Sequence, residues 1–142
     1  MSDISRISVY EFAYGMFSSL GVNIYSMEVP QSLDTATDIA SGFIVIRINN
    51  IYDNSEFVDN TYATARVLVE AYIPAKTRGR VDVTKYKALQ DKINAVVKEH
   101  CEKVNQDYVV SADSILNYDD TLINNTTEFF MYVISFTVTM TE

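Results

Sequence analysis

Residues 61–80 read TYATARVLVEAYIPAKTRGR, and the fold turns on how this run alternates. From Tyr62 to Ile73 the side chains divide strictly. Ala63, Ala65, Val67, Val69, Ala71 and Ile73 point one way, and Tyr62, Thr64, Arg66, Leu68, Glu70 and Tyr72 point the other. A period of two is that of a strand, and the small apolar row is predicted to face a helix. Twelve residues at roughly 3.3 Å each cover about 40 Å, twice an ordinary strand, so part of the run is expected to project beyond the domain body. Pro74 cannot donate to a ladder and ends the pairing. AKTRGR then becomes a positively charged loop at or near the tip of that projection. Five of the eleven basic residues, Lys76, Arg78, Arg80, Lys85 and Lys87, fall within twelve positions of a chain whose formal charge is -8.

Downstream, Asp82 or Thr84 can cap a helix in which Tyr86, Leu89, Ile93, Val96, Val97 and Val104 form an apolar stripe. Lys85, Lys87, Asp91, Lys92, Lys98 and Glu99 lie mostly on its other side. DYVVSADSIL reads as a strand, NYDDTLINNTTE as turns, and FFMYVISFTVTMT as a long alternating closing strand. Upstream, Ser2 or Asp3 can cap a first helix over residues 4–20. There Ile4, Ile7, Tyr10, Tyr14 and Phe17 recur at helical spacing until Gly21 offers a left-handed stop. A second apolar row, Val9, Phe12, Ala13, Met16 and Leu20, gives this helix more apolar surface than one sheet must bury, which leaves deep burial and a subunit contact as its two readings. VNIYSMEVP is a short strand, QSLDTATDIAS a polar loop, and GFIVIRINNIY a central strand with Ile44, Ile46 and Ile48 on one face. DNSEFVDN, with turn residues and three acids, links it to the opening run. The order α-β-β-β-α-β-β predicts one α+β domain over residues 1–142, a mainly antiparallel sheet of long strands packed against an N-terminal helix and a second long helix.

Composition narrows the function classes. A hydrophobic fraction of 48% and a charged fraction of 21% are those of a folding globular chain. The acidic balance opposes nonspecific nucleic-acid binding, which needs an extended basic surface. No stretch approaches the roughly 18 apolar residues of a membrane span, and MSDISRISVYEF lacks the uninterrupted core of a signal peptide, so a soluble protein made in the cytoplasm is expected. The sequons at Asn124 and Asn125 would matter only after secretion.

Residues that could carry chemistry are few. His100 and Cys101 are adjacent on a helix, point about 100° apart and cannot share a proton productively. Cys101 follows Val97 by four positions and reads as a buried structural thiol, while His100, the only histidine, reads as partly exposed without further ligands at metal spacing. Asp113, Asp119 and Asp120 form the densest acidic group, but calcium loops need a turn glycine and a distal glutamate beside alternating oxygen ligands, and ADSILNYDD has no glycine. Four glycines provide no phosphate-cradling loop. No catalytic residue, metal or cofactor is expected, and the chain reads as a non-enzyme.

The basic cluster is the informative feature. It can be a solvated loop beside an ordinary polar helix face, a DNA-contacting tip, or a surface that docks on an acidic patch of another copy or protein. On the docking reading the contact residues are Lys76, Arg78, Arg80 and Lys85, with Glu56 and Asp59 of DNSEFVD and Asp119 and Asp120 of NYDD as acidic counterparts.

The succession of an amphipathic opening helix, VNIYSMEVP, GFIVIRINN, TYATARVLVEAYIP, YKALQDKINAVVKEH and FFMYVISFTVTMT resembles the tail-terminator and tail-completion proteins of tailed bacteriophages and related neck-ring components. The likeness covers nearly the whole chain and rests on element order and hydrophobic pattern; QSLDTATDIASG after Pro30 is a longer insertion than the usual pattern has. It implies a structural virion protein at the head-tail junction, forming a hexameric or dodecameric ring that meets tail-tube, neck or portal-associated proteins. DNA would pass its channel without specific binding. An alternative of another class is a small cytosolic ligand-binding or enzyme-accessory domain, with some of the ten tyrosines lining a pocket.

Overall fold

The long strand of the opening run lies at the centre of the sheet. A computed structural model describes residues 6–29, 33, 37–53, 62–77, 79–102, 108–124 and 127–141. Helix α1 (Arg6–Phe17) passes through a 3-10 turn (Ser18–Leu20) into β1 (Asn23–Ser26), and a one-turn helix α2 (Asp38–Ser41) precedes β2 (Phe43–Asp53). Then follow β3 (Tyr62–Pro74), α3 (Val83–Glu102), β4 (Tyr108–Asn124) and β5 (Thr127–Thr141). The sheet order is β1-β2-β3-β5-β4. β1 pairs with β2 in parallel, and the β2–β3, β3–β5 and β4–β5 ladders are antiparallel. This is an α+β fold with a mixed five-stranded sheet.

The alternation of β3 translates directly into two faces. Ala65, Val67, Val69, Ala71 and Ile73 are buried with Ile44, Ile46 and Ile48 of β2 and with Tyr132, Ile134, Phe136 and Val138 of β5. Val9, Ala13, Met16 and Phe17 of α1 and Leu89, Ile93 and Val97 of α3 close over them. The alanines at 65 and 71 leave room for helices at this distance, and Phe17 fills part of it against Phe136, ring centres 6.2 Å apart. On the opposite face Phe43, Val45, Tyr72 and Phe129 form a smaller aromatic cluster, covered in part by Val29, Leu33 and Ile39 from the segment between β1 and β2. Phe43 stacks on Tyr72 at 4.8 Å and meets Phe129 edge-on at 5.3 Å.

Three expectations are corrected. The polar stretch after Pro30 is not all loop, because Asp38–Ser41 closes one helical turn, so the element order gains α2 between β1 and β2. Gly42 ends that turn at φ +87, and a Cβ there would stand 2.4 Å from the carbonyl oxygen of Tyr72, a place only glycine can take. NYDDTLIN is not a turn but the continuation of β4, with a register shift between Asn117 and Thr121 and another between Ala112 and Ser114. Such bulges let an edge strand carry turn-prone residues, and they blunt its outer edge against stray pairing. Of the two apolar rows of α1, Val9, Ala13 and Met16 of the second and Phe17 of the first are buried, whereas Tyr14 of the first is 46% exposed. Finally, Cys101 is half-buried at the rim of the core rather than inside it. The expected caps Ser2 and Asp3, the residue Val104 and the DNSEFVDN connection beyond Asp53 lie outside the described residues.

Candidate functional site

The route of the chain places most of the basic cluster at one end of the sheet. Pro74 pairs opposite Phe129, and the chain turns there before entering α3. The turn is tied down, not projecting: the Ala75 N–H donates to the carbonyl of Glu128 at 2.8 Å, and the Lys76 N–H to the carbonyl of Arg80 at 2.9 Å. Gly79, at φ +79, turns its own N–H onto Oε1 of Glu128 at 2.9 Å. The expected tip is therefore a tight turn pinned to the first residues of β5, and the strand is buried right up to it, with Ile73 and Pro74 both inside. Lys76 and Arg80 are exposed on this turn; Arg78 lies outside the described residues.

Helix α3 extends the charge from the same end. Asp82 caps it, its Oδ1 accepting the Lys85 N–H at 3.2 Å while its carbonyl accepts the Tyr86 N–H at 2.9 Å. Lys85, Lys87 and Lys92 are exposed on the first half of the helix. Lys85 reaches across to donate its Nζ to the carbonyl of Ala40 in α2 at 2.9 Å. Between the turn after α1, the end of α2 and α3 lies a cleft of about 290 Å³ lined by Leu20, Val22, Leu89 and the two lysines Lys85 and Lys92. Val81 and Val83, exposed by 37% and 55%, stand between the basic turn and Lys85. Cations interleaved with exposed valines make this end an amphipathic surface.

The acidic counterparts separate. Asp119 and Asp120 fall in the β4 register shift, between Asn117 opposite Tyr132 and Thr121 opposite Phe130, and Phe130 pairs with Ile73. Their backbone is thus at the same end of the sheet as the basic turn. Glu56 and Asp59 lie outside the described residues, but the strand ends that their connection joins, Asp53 and Tyr62, are at the other end. The length of β3 lies between, about 40 Å.

Two polar groupings were not singled out by sequence reasoning. Asp38 is fully buried; its Oδ1 accepts from Asn23 at 2.9 Å and its Oδ2 from the Tyr25 hydroxyl at 2.5 Å, which clasps α2 to β1. On the face away from α1 and α3, the Arg47 guanidinium pairs with Glu70 at 2.8 Å and caps the carbonyl of Met27. Met27 sits at φ 69, left-handed for a non-glycine residue, and Arg47 satisfies its part-buried carbonyl. The Tyr72 hydroxyl donates to the same Glu70 oxygen at 3.0 Å. Burial, and then the Glu70 charge, push the Tyr72 phenol up to about 12. The shared face of Arg47, Glu70 and Tyr72 was legible from alternation, whereas the short Asp38 helix left no periodic signal.

His100 is held by its own helix. Its Nδ1 lies 2.9 Å from the carbonyl of Val96, and its ring meets Phe12 edge-on at 6.1 Å. A carbonyl only accepts, so Nδ1 carries the proton in that contact. Among the described residues no three His, Cys, Asp or Glu side chains are grouped to hold a metal ion, and no helix is long and apolar enough to cross a membrane.

Compared with known protein families and with curated proteins, the chain matches none. The reading of its function therefore rests on the surface just described and on the pattern of the sequence.

Proposed function

We propose that this chain is a structural virion subunit of a tailed phage, a tail terminator, tail-completion or neck-ring component that assembles into a ring at the head-tail junction. The observation that carries this reading is the concentration of exposed lysine, arginine and valine at one end of a sheet whose helix-covered core is already complete. Apart from the Lys85 bond to Ala40, such a surface is suited to a contact rather than to the core. The order of elements, which resembles that of the tail-terminator families, supports the same assignment. In a ring with head-to-tail contacts each subunit offers one surface to one neighbour and a different one to the next, so unlike ends on a single chain are what the arrangement requires. A net charge of -8 would keep a central channel from gripping DNA as it passes.

The test is direct. Negative-stain images of the purified protein, alone and mixed with the products of neighbouring genes, should show closed rings, hexameric or dodecameric, that cap tail tubes or seat on necks. Light scattering that gives a monomer at every concentration, together with no binding to any of those partners, would remove the assignment.

A further inference from the structure

The two ends of the sheet suggest which surfaces meet. We infer that the cleft between the turn after α1, the end of α2 and α3 receives the β2–β3 connection of a neighbouring copy, with Phe57 and Val58 entering against Leu20, Val22 and Leu89 while Glu56 and Asp59 meet Lys85 and Lys92. The inference deepens the ring reading above and rests on it.

Three observations lead to it. First, the cleft is lined by Leu20, Val22 and Leu89 and carries Lys85 and Lys92 along its α3 wall, and among the described residues neither lysine is paired with a carboxylate. Lys85 spends one donor on the Ala40 carbonyl, which fixes the ammonium beside the cleft and leaves it two more donors and its whole charge. Second, the sequence that joins Asp53 to Tyr62 is NSEFVDNT. It places an apolar pair between two carboxylates, the complement of Leu89 set between Lys85 and Lys92 along the α3 wall, and contains no cation. Third, topology forbids this contact within one chain. The cleft is at the end of the sheet where Phe43 pairs with Tyr72, and the connection leaves from the end where Asp53 pairs with Ala63, roughly 30 Å or more away along the strands. A second copy can make it.

The fold also chooses between the two acidic stretches. Asp119 and Asp120 share the end that carries the basic turn, so a contact through them would join like ends and close as a two-fold pair. A contact from the Asp53–Tyr62 end to the cleft joins unlike ends and propagates in one direction, as a ring requires.

Charge exchange tests this. K85E/K92E and E56K/D59K are each expected to keep the wild-type circular dichroism and melting temperature and to associate at least tenfold more weakly in sedimentation velocity. An equimolar mixture of the two should recover assembly, because each cleft then faces a connection of opposite charge. Where a reversal disturbs the fold, the neutral pair K85Q/K92Q tests the same contact, since its residual association should lose most of its salt dependence. Assembly that is unchanged in both variants, or that fails to recover in the mixture, overturns the inference and leaves the ring reading intact. A wild-type chain that never assembles, with or without its neighbours, overturns the ring reading itself and this inference with it.

Discussion

The two faces of the sheet are built to different standards. On the helix-covered face, buried residues run without interruption from Ile44 to Val138 across β2, β3 and β5, sealed by α1 and α3. On the other, a compact aromatic cluster around Phe43 and Tyr72 gives way to the Arg47–Glu70 pair and to exposed Arg66. The difference teaches where stability and specificity reside. Burial on the first face supplies the driving force, and the second face with its clasped segment sets how β1 and α2 sit at the end of the sheet that carries the cleft.

If that division is right, the largest loss should come from the helix-covered face. Phe136→Ala removes a fully buried ring that packs on Phe17 and is expected to cost about 3–5 kcal/mol in chemical denaturation, enough to unfold a marginal domain. A loss below about 1 kcal/mol would mean that the core is not concentrated there. Gly42→Ala should come next, at roughly 1–3 kcal/mol, because the left-handed backbone and the Tyr72 carbonyl both exclude a Cβ. A variant as stable as the wild type would show that the approach of α2 to β3 is loose.

Tyr72→Phe sharpens the comparison on the second face. It removes the hydrogen bond to Glu70 and should cost about 1 kcal/mol at neutral pH. The folded-state phenol is raised to about 12 from an ordinary value of 10.0, so the folded chain holds its proton where the unfolded chain has lost it. The corresponding stability is complete below pH 10 and is lost as pH rises towards 12. The wild type should therefore lose stability more steeply than the variant across that window; parallel curves would contradict the burial of this hydroxyl. A smaller effect still is expected from Cys101→Ser, because the half-buried thiol has no hydrogen-bonding duty in the core. Its melting temperature should fall by a few degrees at most, with assembly intact; loss of assembly would place the thiol at a contact.

How much of this was legible follows from the physics of each segment. β3 announced itself because a strand buried on one face must alternate, and the alanines at 65 and 71 marked the helix side. Helix α3 was legible for the same reason, and of the two caps the sequence offered, Asp82 and Thr84, the structure uses Asp82. The second half of β4 was hidden because Asn117, Asp119 and Asp120 favour turns locally, and only pairing to β5 across a register shift keeps them extended. The parallel pairing of β1 with β2 was hidden as well, since the long connection that makes it possible looks like any polar loop until Asp38 is seen to anchor it. Of the site, Lys76, Arg80 and Lys85 were found as charges in sequence. What sequence could not give was that Glu128 would pin the turn against β5, or that Lys92 would join Lys85 at a cleft, because both depend on elements distant along the chain.

The claim at the centre of this account is that the basic end serves contact and not folding, and the double variant Arg78→Glu with Arg80→Glu tests it most directly. Thermal unfolding and sedimentation velocity would be measured together over a range of salt. The account predicts a fold unchanged to within about 0.5 kcal/mol, a marked loss of association with itself or with its head or tail neighbour, and a wild-type association that weakens as salt screens the contact over about 8 Å at physiological ionic strength. Association that survives the reversal unchanged at every salt concentration would contradict the claim and make the basic turn a solvated surface.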